Sequence, residues 1–271
     1  MISEWLTSLT TPCAKPFRAM GYLHELIAIG ARHRRCRRAW APHLEACREL
    51  IENAAANVEA KGKVVVLGSG HLLDIPLAFL ASNFNEVVLV DICHLRNTRK
   101  LQKTFPNLHF VEADISGVVD QFSERLSGDL PEPEIGKTIF EGADYVISSN
   151  LLAQLPIAPL LKLRGFDQDV QDSFARSIID NHLALLQNLN CPVTLITETM
   201  RLFSDDGQTL GKTDPLYGAP LNYEGEEWWW DLAPRPEISR DYDLRLLVKG
   251  IANLNDADYA RFCRNTTLAA P

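Results

Sequence analysis

Three short stretches carry residue types suited to gripping the polar edges of a ligand. The first is Gly68-Ser69-Gly70, which closes the apolar run Lys63–Leu67. Glycine accepts turns closed to other residues and lets a ligand approach the main chain. The second is Asp91, at the end of a second apolar run that starts at Glu86. It follows the glycine turn by about twenty residues, the spacing at which a strand-ending carboxylate accepts from ribose hydroxyls. The third is Asp114, in Glu112-Ala-Asp-Ile115 behind a third run. A carboxylate there can accept from an adenine amino group, with Ile115 against the ring. The three together predict a site for an adenosine-bearing ligand.

Other residues are candidates for chemistry beside that site. His182 sits on an otherwise apolar helical face with Phe174, Ile178 and Leu185; it is a candidate base or a core histidine. Arg32, Arg34, Arg35, Arg37 and Arg38 crowd one helical stretch with His33. They form either a solvated face or a site for a substrate carboxylate or phosphate, and Arg34 is the candidate contact. Asp214, Tyr217 and Tyr223 fall in a long loop that could close over a substrate. Trp228, Trp229 and Trp230 are consecutive, so in a strand they must alternate between faces, as core or as an aromatic wall.

The elements that position these residues follow from periodicity. Residues 1–20, with Pro12 and Pro16, read as an irregular arm. Tyr22 to Ala60 has helical spacing, and Pro42 is expected to split it into two helices. Short β-branched runs at 63–67, 86–91, 108–111, 144–148 and 193–197 read as buried strands. Helices are expected between them: one from Asp74-x-Pro76, with Asp74 as its cap, one over 94–104, and one over 170–189. Residues 200–226 read as loop, and 227–232 and 242–248 as a closing hairpin. Alternating strands and helices predict an α/β fold, doubly wound, with a mostly parallel sheet of about seven strands, a terminal antiparallel hairpin and N-terminal helices. Residues 1–60 form the expected helical extension and 61–271 the ligand-binding domain.

Composition narrows the function classes. The 271-residue chain is 46% hydrophobic and 23% charged, enough for a sizeable core. A formal net charge of −8 argues against non-specific nucleic-acid binding, which needs excess cations. Cys13, Cys36, Cys47, Cys93, Cys191 and Cys263 form no C-x-x-C pair; no metal site or disulfide framework is read from them, and reduced thiols in a cytoplasmic protein are expected. No apolar stretch reaches the length of a membrane span.

The segments VVVLGSGHLLDIP, VVLVDI, FVEADI and DYVISSNLLAQLP resemble the successive cofactor-site segments of class I S-adenosylmethionine (SAM)-dependent methyltransferases. The resemblance covers about 63–248. It implies SAM as cofactor, with Gly68, Ser69 and Gly70 around its methionine part, Asp91 and Ile92 at the ribose, and Asp114 and Ile115 at the adenine. It places Ser149 and Asn150 at the fourth strand's end, near the reactive sulfonium, with Asn150 as the candidate beside the transferred methyl. The implied reaction is methyl transfer to a small-molecule acceptor that Tyr217, Tyr223 and Arg34 would contact. The chain departs from the family at Leu72, where a third glycine is usual, and at Val66, where an acid is common. Those departures leave a SAM-binding protein without catalysis as a second reading. A nicotinamide-dependent oxidoreductase is a third, opposed by Leu73 where that fingerprint has glycine. Oligomeric state is not readable.

Overall fold

The computed structural model describes residues 2–124 and 130–256. Cys263 and part of the acidic, proline-bearing loop at 127–134 lie outside the described residues. The elements in chain order are α1 (Ile2–Thr10), α2 (Lys15–Ala19), α3 (Tyr22–Ala56), β1 (Lys63–Leu67), α4 (Leu77–Asn83), β2 (Glu86–Asp91), α5 (Arg96–Lys100), β3 (Leu108–Glu112), α6 (Val119–Glu124), β4 (Tyr145–Ser149), α7 (Ile157–Leu160), α8 (Gln168–Gln187), β5 (Val193–Asp205), β6 (Gln208–Thr213), β7 (Glu226–Ala233) and β8 (Asp243–Ile251).

The strands form one sheet in the order β3-β2-β1-β4-β5-β8-β7, with β6 paired to β5. β1 to β5 run parallel, and β6, β7 and β8 enter antiparallel. This is the doubly wound, mostly parallel arrangement with an antiparallel end. The central strands are apolar throughout because both faces are covered. Val65, Leu67, Val88 and Val90 pack toward α8, whereas Val64, Val66, Val87 and Leu89 pack toward α3 and α4. Strand order reverses between β1 and β4, the place where such sheets leave a crevice beyond their strand ends.

Several expectations need correction. The N-terminal arm is not irregular: α1 and α2 flank Pro12, and Pro16 sits in the first turn of α2, where its missing N–H costs nothing. Pro42 does not end a helix. α3 runs through it and bends instead at Cys36, on the side where the proline ring crowds the preceding turns. Residues 200–226 are not all loop. β5 continues to Asp205, turns through Asp206 (φ 41°) and Gly207 (φ 86°), and returns as β6. Two consecutive positive φ values are the tight hairpin turn that Asp-Gly favours.

That hairpin shapes the cleft. β4 pairs with β5 only as far as Ser149 opposite Ile196; beyond Arg201, β6 takes β4's place along the same edge. β5 therefore overhangs the parallel strand ends, backed by β8, and builds a wall above them. Across the opening lies α3. Its stripe Cys36, Trp40, Leu44, Cys47, Ile51 and Ala55 shares one core with β1 and β2, and its first half meets Cys93 and Leu95. The Trp40 indole N–H donates to the Leu232 carbonyl at 2.8 Å, tying α3 to β7.

α3 is also pinned to the glycine turn. His71 Nε2 donates to the Leu26 carbonyl at 2.7 Å, and the imidazole lies so close to Gly30 that a β-carbon there would sit 2.6 Å from its Cε1. Alanine favours a helix over glycine by about 1 kcal/mol. Overpacking against a ring held by its own hydrogen bond costs about 1–3 kcal/mol. Gly30→Ala should therefore lower stability on balance by ~1 kcal/mol in urea unfolding. A gain in stability would mean that His71 swings aside freely.

Candidate functional site

Two adjoining cavities occupy the crevice. The first, about 220 Å³, lies over the ends of β1, β2 and β3 and is bounded by Gly68, Gly70, Asp91, Ile92, Asp114 and Ile115. The second, about 370 Å³, lies over β1, β4 and the β5 overhang and is bounded by Ser69, Asp74, Ser149, Glu198, Arg201 and Trp230 among others. Gly68, Gly70, Asn150 and Gln154 line both, as do Glu25, Leu26 and Ile29 of α3. The glycine turn and Asn150 thus stand at the junction between two chambers.

The turn is fastened to β2. The Gly68 and Ser69 N–H groups donate to the Val90 carbonyl at 2.9 and 3.2 Å. The Gly70 N–H donates to Asp91 Oδ2 at 2.6 Å, and the Ile92 N–H to Asp91 Oδ1 at 2.7 Å. Each carboxylate oxygen thus receives a backbone donor, the Cys93 N–H also favours the anion, and acceptor capacity remains for another hydroxyl. Burial pushes the Asp91 carboxyl up, against the Gly70 N–H, the nearby His94 and the Ile92 N–H, which favour the anion. Gly68 (φ 69°) and Gly70 (φ 49°) need the left-handed region. A β-carbon on Gly70 would meet nothing nearer than the Gly68 carbonyl at 3.7 Å, leaving open space above the turn. Leu72 also adopts φ 56°, so the backbone conformation that a third glycine would ease is present with leucine carrying the strain.

Asp114 lines the first chamber, but its carboxylate is fully engaged. Oδ1 accepts from the Ser116 N–H at 2.8 Å and hydroxyl at 2.6 Å; Oδ2 accepts from the Val118 and Val119 N–H groups at 2.9 and 2.8 Å. It caps the start of α6 and has no lone pair left for an adenine amino group, which corrects the expected contact. Tyr22 of α3 joins this wall, its hydroxyl pushed up by burial and by the Asp114 charge.

Asp74 is not the expected cap of α4, whose first residues have no side-chain cap. Its Oδ2 instead accepts from Ser149 Oγ at 2.6 Å and from Asn150 Nδ2 at 2.8 Å, joining the glycine turn to the end of β4. Asn150 adopts φ 50°, which asparagine tolerates better than most residues. Beside it, His43 stacks on Trp230 with ring centres 3.9 Å apart and an interplanar angle of 2°. The Trp228 indole can only donate, and it lies 3.0 Å from His43 Nδ1. His43 is therefore an acceptor at Nδ1 and carries its proton on Nε2. Burial lowers its pKa to about 3, so it is neutral near pH 7.

Four expected site residues lie elsewhere. His182 does not reach either cavity. Its helical face turns toward the sheet, where Nε2 lies 3.1 Å from Ser148 Oγ, and burial lowers its pKa to about 4. Tyr217 and Tyr223 pack with the core on the α8 side; the Tyr223 hydroxyl accepts from Gln187 Nε2 at 2.6 Å, and neither borders the cavities. Arg34 is exposed, whereas Arg32 borders the second cavity. The signal for Arg32 was available: it continues the helical stripe of Glu25 and Ile29 that lines the cleft. His43, Glu198 and Arg201 carried no comparable signal. Trp228 and Trp230 face α3 while Trp229 lies on the other face under Arg245, as alternation requires.

No family model matches the sequence, and no curated protein is similar to it. Similar solved structures include the 1,6-didemethyltoxoflavin N1-methyltransferase of Burkholderia thailandensis with 1,6-didemethyltoxoflavin and S-adenosylhomocysteine, 16% identical over 88% of this chain and 91% of that one, at a TM-score of 0.31. The DhpI–SAH complex is 13% identical over 83% and 93%, with a TM-score of 0.34. The 23S rRNA methyltransferase ErmE is 13% identical over 78% and 71%, with a TM-score of 0.30. These superpositions are loose, so the functional reading stands on the cleft itself.

Two of the buried histidines, His43 and His182, predict a pH dependence. Unfolded, both titrate near 6.5; folded, they stay neutral down to about 3 for His43 and about 4 for His182. The unfolded chain therefore binds protons first as pH falls. Their contribution is complete above about pH 6.5 and declines toward pH 4, with His182 alone accounting for roughly 3 kcal/mol there. Urea midpoints measured from pH 7 to 4.5 should drop less steeply in His182→Asn than in the parent chain; equal slopes would remove His182 as a source.

Proposed function

We propose that this chain is a SAM-dependent methyltransferase of a small-molecule acceptor, with the cofactor in the first chamber and the acceptor in the second. The observation that carries the reading is the Asp91 carboxylate. It is oriented by the Gly70 and Ile92 N–H groups, retains acceptor capacity, and faces a chamber that adjoins a second one at the glycine turn. A ribose diol fits that carboxylate, and the space above Gly70 fits the chain that follows it. Ile92 and Ile115 supply apolar surface for a base. The buried Ser69 hydroxyl has no partner among the described residues and lies where the amino-acid part would pass.

When bound, SAM supplies an electrophilic methyl group, and the protein's task is to orient the acceptor and exclude water. Asn150 stands at the junction of the chambers with its amide fixed by Asp74, and so positions groups at the transfer point. His43, held neutral, is a poor base near pH 7 but a good N–H donor. Residues 1–60 act in this reading as the cap that closes the cleft, through α3. The location is cytoplasmic in the same reading; among the described residues, no helix is long and apolar enough to cross a membrane.

A binder without catalysis was motivated by Leu72 and Val66. Leu72 keeps the left-handed turn, which weakens that motive. Val66 is wholly buried in β1, and Asp74 at the chamber wall is the acid nearest in role to the absent one.

Calorimetry with SAM, S-adenosylhomocysteine and NADH tests the cofactor. The two adenosyl compounds should bind and NADH should not. Asp91→Asn should weaken both by at least about tenfold, the scale of one charge-assisted hydrogen bond; unchanged affinity would remove Asp91 from the site.

A further inference from the structure

The inner wall of the second chamber carries hydrogen-bond donors that find no acceptor among the described residues. Both buried or half-buried acids of its inner wall are already matched: Asp74 by Ser149 and Asn150, and Glu198 by the Arg201 guanidinium, whose Nε lies 3.0 Å away. The donors are not matched. The Trp230 indole N–H is buried with no partner among the described residues. His43 Nε2–H lies 3.2 Å from Asn150 Nδ2, and that amide nitrogen is itself a donor committed to Asp74. Two donors set this close together are met by an acceptor lying beside both; among the described residues the other neighbour of Nε2 is the Cys47 sulfur at 3.6 Å, a weak acceptor. Arg32 adds a cation to the same wall, its Nε turned to Glu237 Oε1 at 3.5 Å.

The shape of the wall selects further. His43 and Trp230 form one parallel stack, and Trp40 meets Trp230 edge-on at 5.0 Å and 84°. Such surfaces favour a flat ring. A cationic amine against this wall would face Arg32 and Arg201 and would have to take Asp74 or Glu198 from its present donors; Glu25, the other acid of the lining, is exposed on the side shared with the first chamber.

We propose that the acceptor substrate is a planar aromatic or heteroaromatic carboxylate, its ring against the Trp40–Trp230–His43 cluster and its acceptor atoms toward Arg32, the Trp230 N–H and the His43–Asn150 donor pair. This rests on the methyltransferase reading and adds the substrate class to it.

Intrinsic tryptophan fluorescence of the full chain, saturated with S-adenosylhomocysteine, gives a direct readout, because Trp40 and Trp230 border the site. Probes are matched pairs: indole-3-carboxylate against tryptamine, and 4-hydroxybenzoate against tyramine. The carboxylates should quench at concentrations at least roughly tenfold lower than their amine partners. Arg32→Gln and Trp230→Phe should each weaken carboxylate binding by about tenfold, while cofactor-product affinity measured by calorimetry stays within about twofold. Preference for the amines, binding of neither series, or carboxylate binding indifferent to both variants overturns the proposal. Failure of S-adenosylhomocysteine to bind at all would instead overturn the cofactor reading on which it rests.

Discussion

A carboxylate taken out of water must be given donors, and that requirement organises the cleft. Asp91 ends an apolar strand with nowhere to turn except the crevice. It recruits the Gly70 N–H from the neighbouring strand's turn and the N–H of its own successor. Those bonds fix the glycine turn, and the turn in turn carries His71, which grips the carbonyl of Leu26 in α3. The cap helix is therefore held over the chamber by a chain of contacts that starts at one buried acid. Gly30 completes it: any side chain larger than hydrogen would push the imidazole away.

The second chamber has a different origin. It exists because β5 outruns its parallel neighbour. Past Ile196 it keeps β8 on one edge and from Arg201 takes β6 on the other, and the overhang brings Glu198, Arg201 and Phe203 above the strand ends. α3 meets that wall through Trp40, His43 and the β7 tryptophans, and the aromatic stack excludes water from the junction where Asn150 stands. One chamber is thus made by the sheet's parallel half and the other by its antiparallel half, which separates the task of holding a nucleoside from that of choosing a partner for it. The separation leaves the second wall free to vary without disturbing the first.

Local sequence determined the parallel core. Apolar runs ending at Gly68, Asp91, Glu112 and Ser149 are strands because nothing else buries β-branched residues on two faces, and their ends are the cleft because strands of that kind meet ligands only there. The Asp-Gly hairpin was equally legible at Asp206-Gly207, although Glu198 and Arg201 disguised the strand leading to it: charged residues on a half-exposed wall break the apolar pattern that marks a core strand.

What each side chain does was decided only in three dimensions. Asp91 and Asp114 look alike in sequence, both acids behind a strand. One keeps acceptor capacity for a ligand and the other divides its lone pairs between Ser116 and the Val118 and Val119 N–H groups, because the chain turns behind Asp114 into the start of α6. Asp74 looks like a cap and is a bridge to β4. His43 and His182 are both apolar-face histidines, yet one joins a cleft and the other a core, since long-range packing of α3 against β7 and of α8 against β4 sets their surroundings. Periodicity fixes which face of an element a residue occupies; only the tertiary arrangement fixes what that face meets.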